Sequence, residues 1–192
     1  MPRSKSYDEN MVLEHAMHVF WSNGYKATSV RMLEKEMGIN QFSIYSSFIN
    51  KKKLFIKSIR KYGEHVRQNV YNILLQENAG MKELEFFLLN TAQKKREPGT
   101  SRGCLVVNTA AELGGSDDEI TSEVNGYFNF IRDMLKKVLQ TAVEKGEISP
   151  DTDIEKQSAF FLGVMQGLSV ASKTMDPDQL NDFVSIALKQ IK

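Results

Sequence analysis

The stretch QFSIYSSF, residues 41–48, combines hydrogen-bonding and aromatic side chains at a spacing that suits contact with a double helix. The amide of Gln41 can pair in bidentate fashion with adenine. The hydroxyls of Ser43 and Ser46 accept any base, and an aromatic edge such as Phe42 can touch a thymine methyl. Tyr45 carries a hydroxyl able to reach a phosphate, or else fills a gap between helices. Three residues on, Lys51, Lys52 and Lys53 form a cationic run. A helix N-terminus disfavours cations, so a run placed there makes sense if an anion such as phosphate compensates. A second candidate is the single cysteine, Cys104, followed by LVVNTAAELG. A helix N-terminus and the neighbouring Arg102 would lower its thiol pKa, whereas the plainer reading is a small buried hydrophobe. His15 and His18 stand three apart beside Glu14, too few ligands for a metal site, and they read as the solvated flank of a helix.

These groups need elements to hold them, and the pattern is all-α, with about nine helices and no sustained polar/apolar alternation. Asp8 caps a helix carrying Val12, Ala16, Val19 and Phe20 on one stripe, and Gly24 stops it. Thr28 or Ser29 caps a short second helix, Val30 to Glu36, that ends at Gly38, where a left-handed turn costs a glycine little. Asn40 caps the third, Gln41 to Ser47, with Ile44 and Phe48 inward. Two short helices around a glycine turn, backed by a longer one, have the form of a helix-turn-helix whose last helix enters a major groove. A long helix follows from Lys51 to about Gln76, then one from Met81 to about Lys95, and a loop at REPGTSRG. The sixth spans Cys104–Leu113, and the seventh runs from Ser116 or Asp117 to Lys145. The eighth is capped by Asp151 or Thr152 and reaches about Thr174, and Asp176-Pro177 opens the ninth.

Net charge over the 192 residues is +1, yet residues 1–62 hold eleven Lys/Arg against five Asp/Glu, and the remainder fourteen against nineteen. A basic front and an acidic back suggest that the front meets a polyanion. One cysteine excludes an intramolecular disulfide framework and fits a reducing cytoplasm, the expected location. The sequence has neither a signal-peptide pattern nor an apolar run long enough for a membrane span. P-loop, dinucleotide and nucleophile-elbow motifs are missing, so no enzyme and no cofactor is expected.

The segment VLEHAMHVFWSNGYKATSVRMLEKEMGINQFSIYSSFINKKKLF resembles the DNA-binding domain of the TetR family of transcriptional regulators. The resemblance rests on Phe20 with Gly24-Tyr25, Ala27-Thr28-Ser29-Val30, Met37-Gly38-Ile39, Ile44-Tyr45, Phe48, Asn50-Lys51 and Leu54. It implies a helix-turn-helix DNA-binding domain over residues 1–50 and a helical effector-binding and dimerisation domain over 51–192. By the same resemblance Thr28, Ser29, Tyr45 and Lys51 meet the DNA backbone, while Gln41, Phe42, Ser43 and Ser46 meet base edges. Glu34 and Phe42 depart from the small residues usual in the family at their positions, which alters helix packing and the bases read.

For the body, the resemblance implies a homodimer and a pocket for a small-molecule effector of unknown identity. FFLGVMQGLSVASK offers Phe160, Gly163, Gly167 and Val170 as a paired interface, or else as a core helix. Phe86, Cys104, Phe128 and Phe161 are candidate pocket residues, and otherwise core. The expected function is a dimeric repressor released from a palindromic double-stranded operator by a small molecule or an electrophile. A sequence-indifferent architectural DNA protein and a small all-α enzyme using Cys104 are the competing readings.

Overall fold

The computed structural model describes residues 7–93 and 102–191, and among these it has nine α-helices and no strand. The expected Pro98-Gly99 loop and the Lys95 end of the fifth helix lie outside the described residues. Helix α1 spans Glu9–Ala27, α2 Val30–Met37, α3 Gln41–Phe48 and α4 Lys51–Asn69. They are followed by α5 Met81–Gln93, α6 Leu105–Leu113, α7 Asp118–Glu144, α8 Ile154–Ala171 and α9 Pro177–Lys189.

Side-chain caps set most of the starts. Asp8 accepts from the Asn10 and Met11 N–H groups, Ser29 from Met32, Asn40 from Ser43 and Asn50 from Lys53. Each such cap is worth about 1 kcal/mol. Asp176 and Gln179 close a reciprocal capping box on α9. Helices α4 and α8 differ from the sequence pattern in their bounds. Helix α4 stops at Asn69 rather than near Gln76, because the Val70 and Tyr71 N–H groups both converge on Val66 O and the Asn69 amide bonds back to His65 O. The chain then turns tightly, which takes Tyr71 and Leu74 into the core. Helix α8 is capped by Asp153, not Asp151 or Thr152, and ends at Ala171.

Helix α1 packs on α2 and α4, and α3 is laid across the α2–α4 pair through buried Ile44 and Phe48. The long α7 forms the spine of the body, with α4, α5, α6 and α8 against it and α9 closing over α5 and α8. Its Ile131, Leu135, Val138 and Leu139 are buried.

Two backbone specials sit where the parts join. Gly24 has φ 76° and ψ 178°, a region open only to glycine, and it breaks α1 one turn before its end. The Tyr25 and Lys26 N–H groups that the break frees donate to the Glu112 carboxylate of α6, at 2.9 and 2.7 Å. A Cβ on Gly24 would lie 2.6 Å from Glu112 Oε2. Between α3 and α4, Ile49 has φ 70° and ψ −59°, and Asn50 N donates to Phe48 O at 2.8 Å. This is a γ-turn of the rarer, strained hand, on a β-branched residue. It fixes the angle between the two helices within two residues.

Gly24→Ala meets both the forbidden backbone region and the Glu112 oxygen. It should lower stability by ~2 kcal/mol or more. Urea denaturation checks this as a lower midpoint with an unchanged slope.

Candidate nucleic-acid interface

The eight residues of α3 are too short to stand as a helix alone. Three contacts hold it in place besides Ile44 and Phe48. Tyr7 hydroxyl donates to Ser43 O at 3.1 Å and pairs with Ser47 Oγ at 2.8 Å. Asn40 caps the first turn. Glu34, projecting from α2, accepts the Gln41 N–H at 2.6 Å. The carboxylate therefore satisfies a free donor at the positive end of the helix. Neither Tyr7 nor the role of Glu34 was visible in the sequence, because both partners are brought in by the fold.

With its inner face so fixed, α3 turns Gln41, Phe42 and Ser46 outward, and Ser43 and Tyr45 lie half-buried on its flanks. Phe42 is 83% exposed, an unusual position for a phenyl ring. Ser29 is exposed at the start of α2, its hydroxyl engaged as the cap. Thr28, expected by the resemblance to meet the DNA backbone, is 1% exposed, and its hydroxyl donates to Gly24 O at 2.6 Å. It closes the break in α1 and does not face outward.

The lysine run divides. Lys52 bridges Asp117 and Glu119 of α7 at 3.1 and 2.7 Å, and Lys53 pairs with Glu119. The Lys52 ammonium is held more basic by its hydrogen bonds to Glu119 and Asp117. Glu119 is held more acidic by the two lysines. Lys51 instead lies over the Tyr25 ring, 4.6 Å from its centre, and no carboxylate of the described residues pairs with it. Partial burial lowers its pKa, offset in part by Glu112. An anion at this helix start would complete it.

Farther back, α4 to α8 and Trp21 of α1 enclose a cleft of about 690 Å³. Cys104 and Phe128 line it. Phe86 and Phe161 do not. Leu84, Leu88 and Ala92 fix the core face of α5, which points Phe87 toward the cleft and leaves Phe86 on the surface. Phe161 is wholly buried in the core between helices. The sequence reading missed the polar lining: Tyr71 and Tyr127 hydroxyls meet at 3.1 Å, and Cys104 Sγ lies 3.7 Å from Tyr127. Trp21 Nε1 donates to Gly103 O at 3.0 Å, just before α6. Among the described residues no three His, Cys, Asp or Glu side chains gather to hold a metal ion, and no helix is long and apolar enough to cross a membrane.

On α8, Phe160, Gly163 and Val170 share an exposed stripe, and Phe183 and Ile186 continue it on α9. Gly167 lies against α9: a Cβ there would touch the Phe183 ring at 3.3 Å, so its smallness serves packing within the subunit.

Residues 12–57 match the family described as bacterial regulatory proteins, tetR family. Residues 80–187 match the tetracyclin repressor-like C-terminal domain. The chain belongs to the TetR family. It is a DNA-binding transcriptional regulator with an N-terminal helix-turn-helix and a helical C-terminal domain. It is 27% identical over 190 residues to the HTH-type regulator YezE of Bacillus subtilis, covering 98% of each chain. To the repressor ComR of Escherichia coli it is 24% identical, over 89% of this chain and 82% of that protein. Among solved structures it resembles a cysteine-substituted variant of the TetR-family regulator CifR in complex with a 26 bp double-strand operator. The TM-score is 0.84 at 25% identity, over 99% of this chain and 100% of that one.

Phe42 supports nothing inside the subunit, so Phe42→Ala should leave stability within about 0.5 kcal/mol. On a selected duplex its affinity should fall about tenfold, as for one lost apolar base contact. Thermal unfolding and fluorescence anisotropy on the same preparation check the pair of outcomes.

Proposed function

We propose that this TetR-family protein is a homodimeric, ligand-responsive repressor that binds a palindromic operator and leaves it when a small molecule occupies the cleft. On this reading residues 1–50 are the reader. Residues 51–192 bind effector and partner, and the protein works at the nucleoid of a bacterial cytoplasm. The observation that carries it is the outward face of α3, where Gln41, Phe42 and Ser46 are presented on a helix whose inner side is fully tied down.

One reader helix makes too few contacts for a specific site, so a second copy is required. The exposed stripe of Phe160, Val170, Phe183 and Ile186 supplies a surface of the right character, with Gly163 allowing close approach. Two-fold pairing would set half-sites about one helical turn, ~34 Å, or a multiple, apart. Helix α4 supports the switching step, since Tyr62, His65, Val66 and Asn69 line the cleft while its start follows the reader by two residues. An effector that favours a shifted α4 would misalign the two readers. By reciprocity, DNA would then weaken effector binding by the same factor. The Cys104 thiol opens on the same cleft and would give an electrophilic effector a point of attachment.

Selection of bound duplexes from a random pool tests the reading. A palindrome with the stated spacing is expected, whereas equal recovery of all sequences would mean an architectural DNA protein. Lys51→Ala should weaken binding to every duplex and flatten the salt slope by about one unit per subunit. Gln41→Ala should instead change base preference at one position per half-site. A protein that stays monomeric and ignores duplexes at low salt would end the proposal.

A further inference from the structure

The cleft has an uneven chemical inventory. Its body is aromatic, with Trp21, Phe87 and Phe128 around Tyr62, Tyr71 and Tyr127. Among the described residues that line it there is no aspartate or glutamate, and the charged or chargeable ones are His65, Arg102 and Cys104 beside the phenols. Arg102 lies over the Trp21 ring at 5.5 Å, and its Nη1 stands 3.4 Å from His18 Nδ1. It makes no ion pair among the described residues. Burial, and Arg102 after it, lower the pKa of His18 and favour the neutral ring, which leaves Arg102 as the cation of this wall.

The three phenols point the same way. Burial raises the pKa of Tyr62, Tyr71 and Tyr127, so all three remain protonated donors. The Tyr71–Tyr127 bond consumes one hydroxyl proton of the two, which leaves the other for a further acceptor. Gly103, Cys104 and Val107, around the N-terminal turn of the nine-residue α6, also face the space, and Cys104 caps that turn with no side-chain bond. Arg102 and the protonated phenols present donors to an anionic ligand, which would offset the desolvation that keeps the phenols neutral, and a buried cation would find no carboxylate among the described lining residues.

We propose that the cleft binds small organic anions: a carboxylate on an aromatic or short aliphatic body, the carboxylate at Arg102 and the phenol hydroxyls, the body against Trp21, Phe87 and Phe128. The inference rests on the reading of this cleft as the effector site. Trp21 is the only tryptophan of the chain, so its emission reports directly on occupancy.

The test uses the full chain and three isosteric probes, 4-phenylbutanoate, 4-phenylbutanamide and 4-phenylbutylamine, followed by Trp21 fluorescence and by calorimetry. The anion should bind about tenfold or more tighter than the amide, as expected for a charge-assisted contact to arginine, and the amine should bind weakest. Arg102→Met should erase the difference between anion and amide, and an unchanged thermal unfolding midpoint of the variant controls for folding. Equal affinity of anion and amide, a preference that survives Arg102→Met, or no saturable binding of the anion in the millimolar range would each overturn the proposal. Release of a selected duplex is measured separately. An anion that binds with the stated preference and leaves duplex affinity unaltered would remove the effector-site reading while the ligand class stands. A duplex-binding protein without anion preference would remove only the ligand class.

Discussion

Glu112 joins the two halves of this regulator with one carboxylate. It accepts the Tyr25 and Lys26 N–H groups that the break at Gly24 sets free, and Lys26 Nζ reaches back to Glu112 O at 3.4 Å. Hydrogen bonds to a charged acceptor contribute roughly 1.5–3 kcal/mol each, more than the ~0–1 kcal/mol typical of an exposed ion pair. Much follows from this contact. The break must be a glycine, both for its φ and because a side chain would collide with the carboxylate. Thr28 must turn inward to close the broken turn. Tyr25, fixed by its backbone, stacks near Phe20 and Phe55 and offers its ring to Lys51. At the other end of α6, Gly103 accepts from Trp21, so this one short helix is bonded to α1 at both of its ends. The cleft and the reader domain therefore share a rigid strut.

The same device recurs. Glu34 satisfies the first free N–H of α3, and Glu147, from the turn after α7, accepts the Met81 N–H at the start of α5. In each case a carboxylate remote in sequence takes the place of, or adds to, a local cap at the positive end of a helix. For α3 the consequence is functional. A helix of two turns gains little stability from its own hydrogen bonds. Anchored instead by Glu34, Tyr7, Ile44 and Phe48, it can leave a phenylalanine, a glutamine and a serine entirely to solvent. Glu34 also places a negative charge beside the outward face of α3, which on the proposed scheme would penalise any phosphate not held in the intended register.

How far the sequence disclosed this depends on whether the signal is local. Caps such as Asp8, Asn40, Asn50 and Asp176 reveal themselves within four residues, and the apolar stripes of α1 and α7 reveal a core face, so nearly every helix could be read. The end of α4 could not, because Ile73 and Leu74 continue the apolar pattern past the point where Val66 O collects two N–H groups. Long-range partners were equally hidden. Phe86 and Phe87 are adjacent and alike in type, and only the packing of α5 decides that Phe87 faces the cleft. Gly163 and Gly167 look equivalent, yet one is open and the other is pressed by Phe183. The tyrosine cluster joins positions 62, 71 and 127, a separation that no spacing rule covers. Cys104 and Phe128, candidates through the family resemblance, line the cleft.

Charge is the clearest case of a sequence feature reinterpreted by the fold. The basic excess of the first 62 residues does not all face outward, because Lys52 and Lys53 are spent on Asp117 and Glu119, and Arg60 on Glu123. These four ion pairs form a seam between α4 and the start of α7, mostly exposed, each worth about 0–1 kcal/mol and weaker in salt. The opposite edge of the reader is held by the Glu112 strut, which is stronger. If a ligand entered between α4 and α7, it would meet unequal resistance: the lysine seam would yield at a cost near the ~1–3 kcal/mol typical of coupling between sites, less than the strut would require. On the proposed scheme this inequality sets the direction of movement. The start of α4, with Lys51 and the γ-turn at Ile49, would pivot against an α1 that remains fixed to α6, carrying α3 with it.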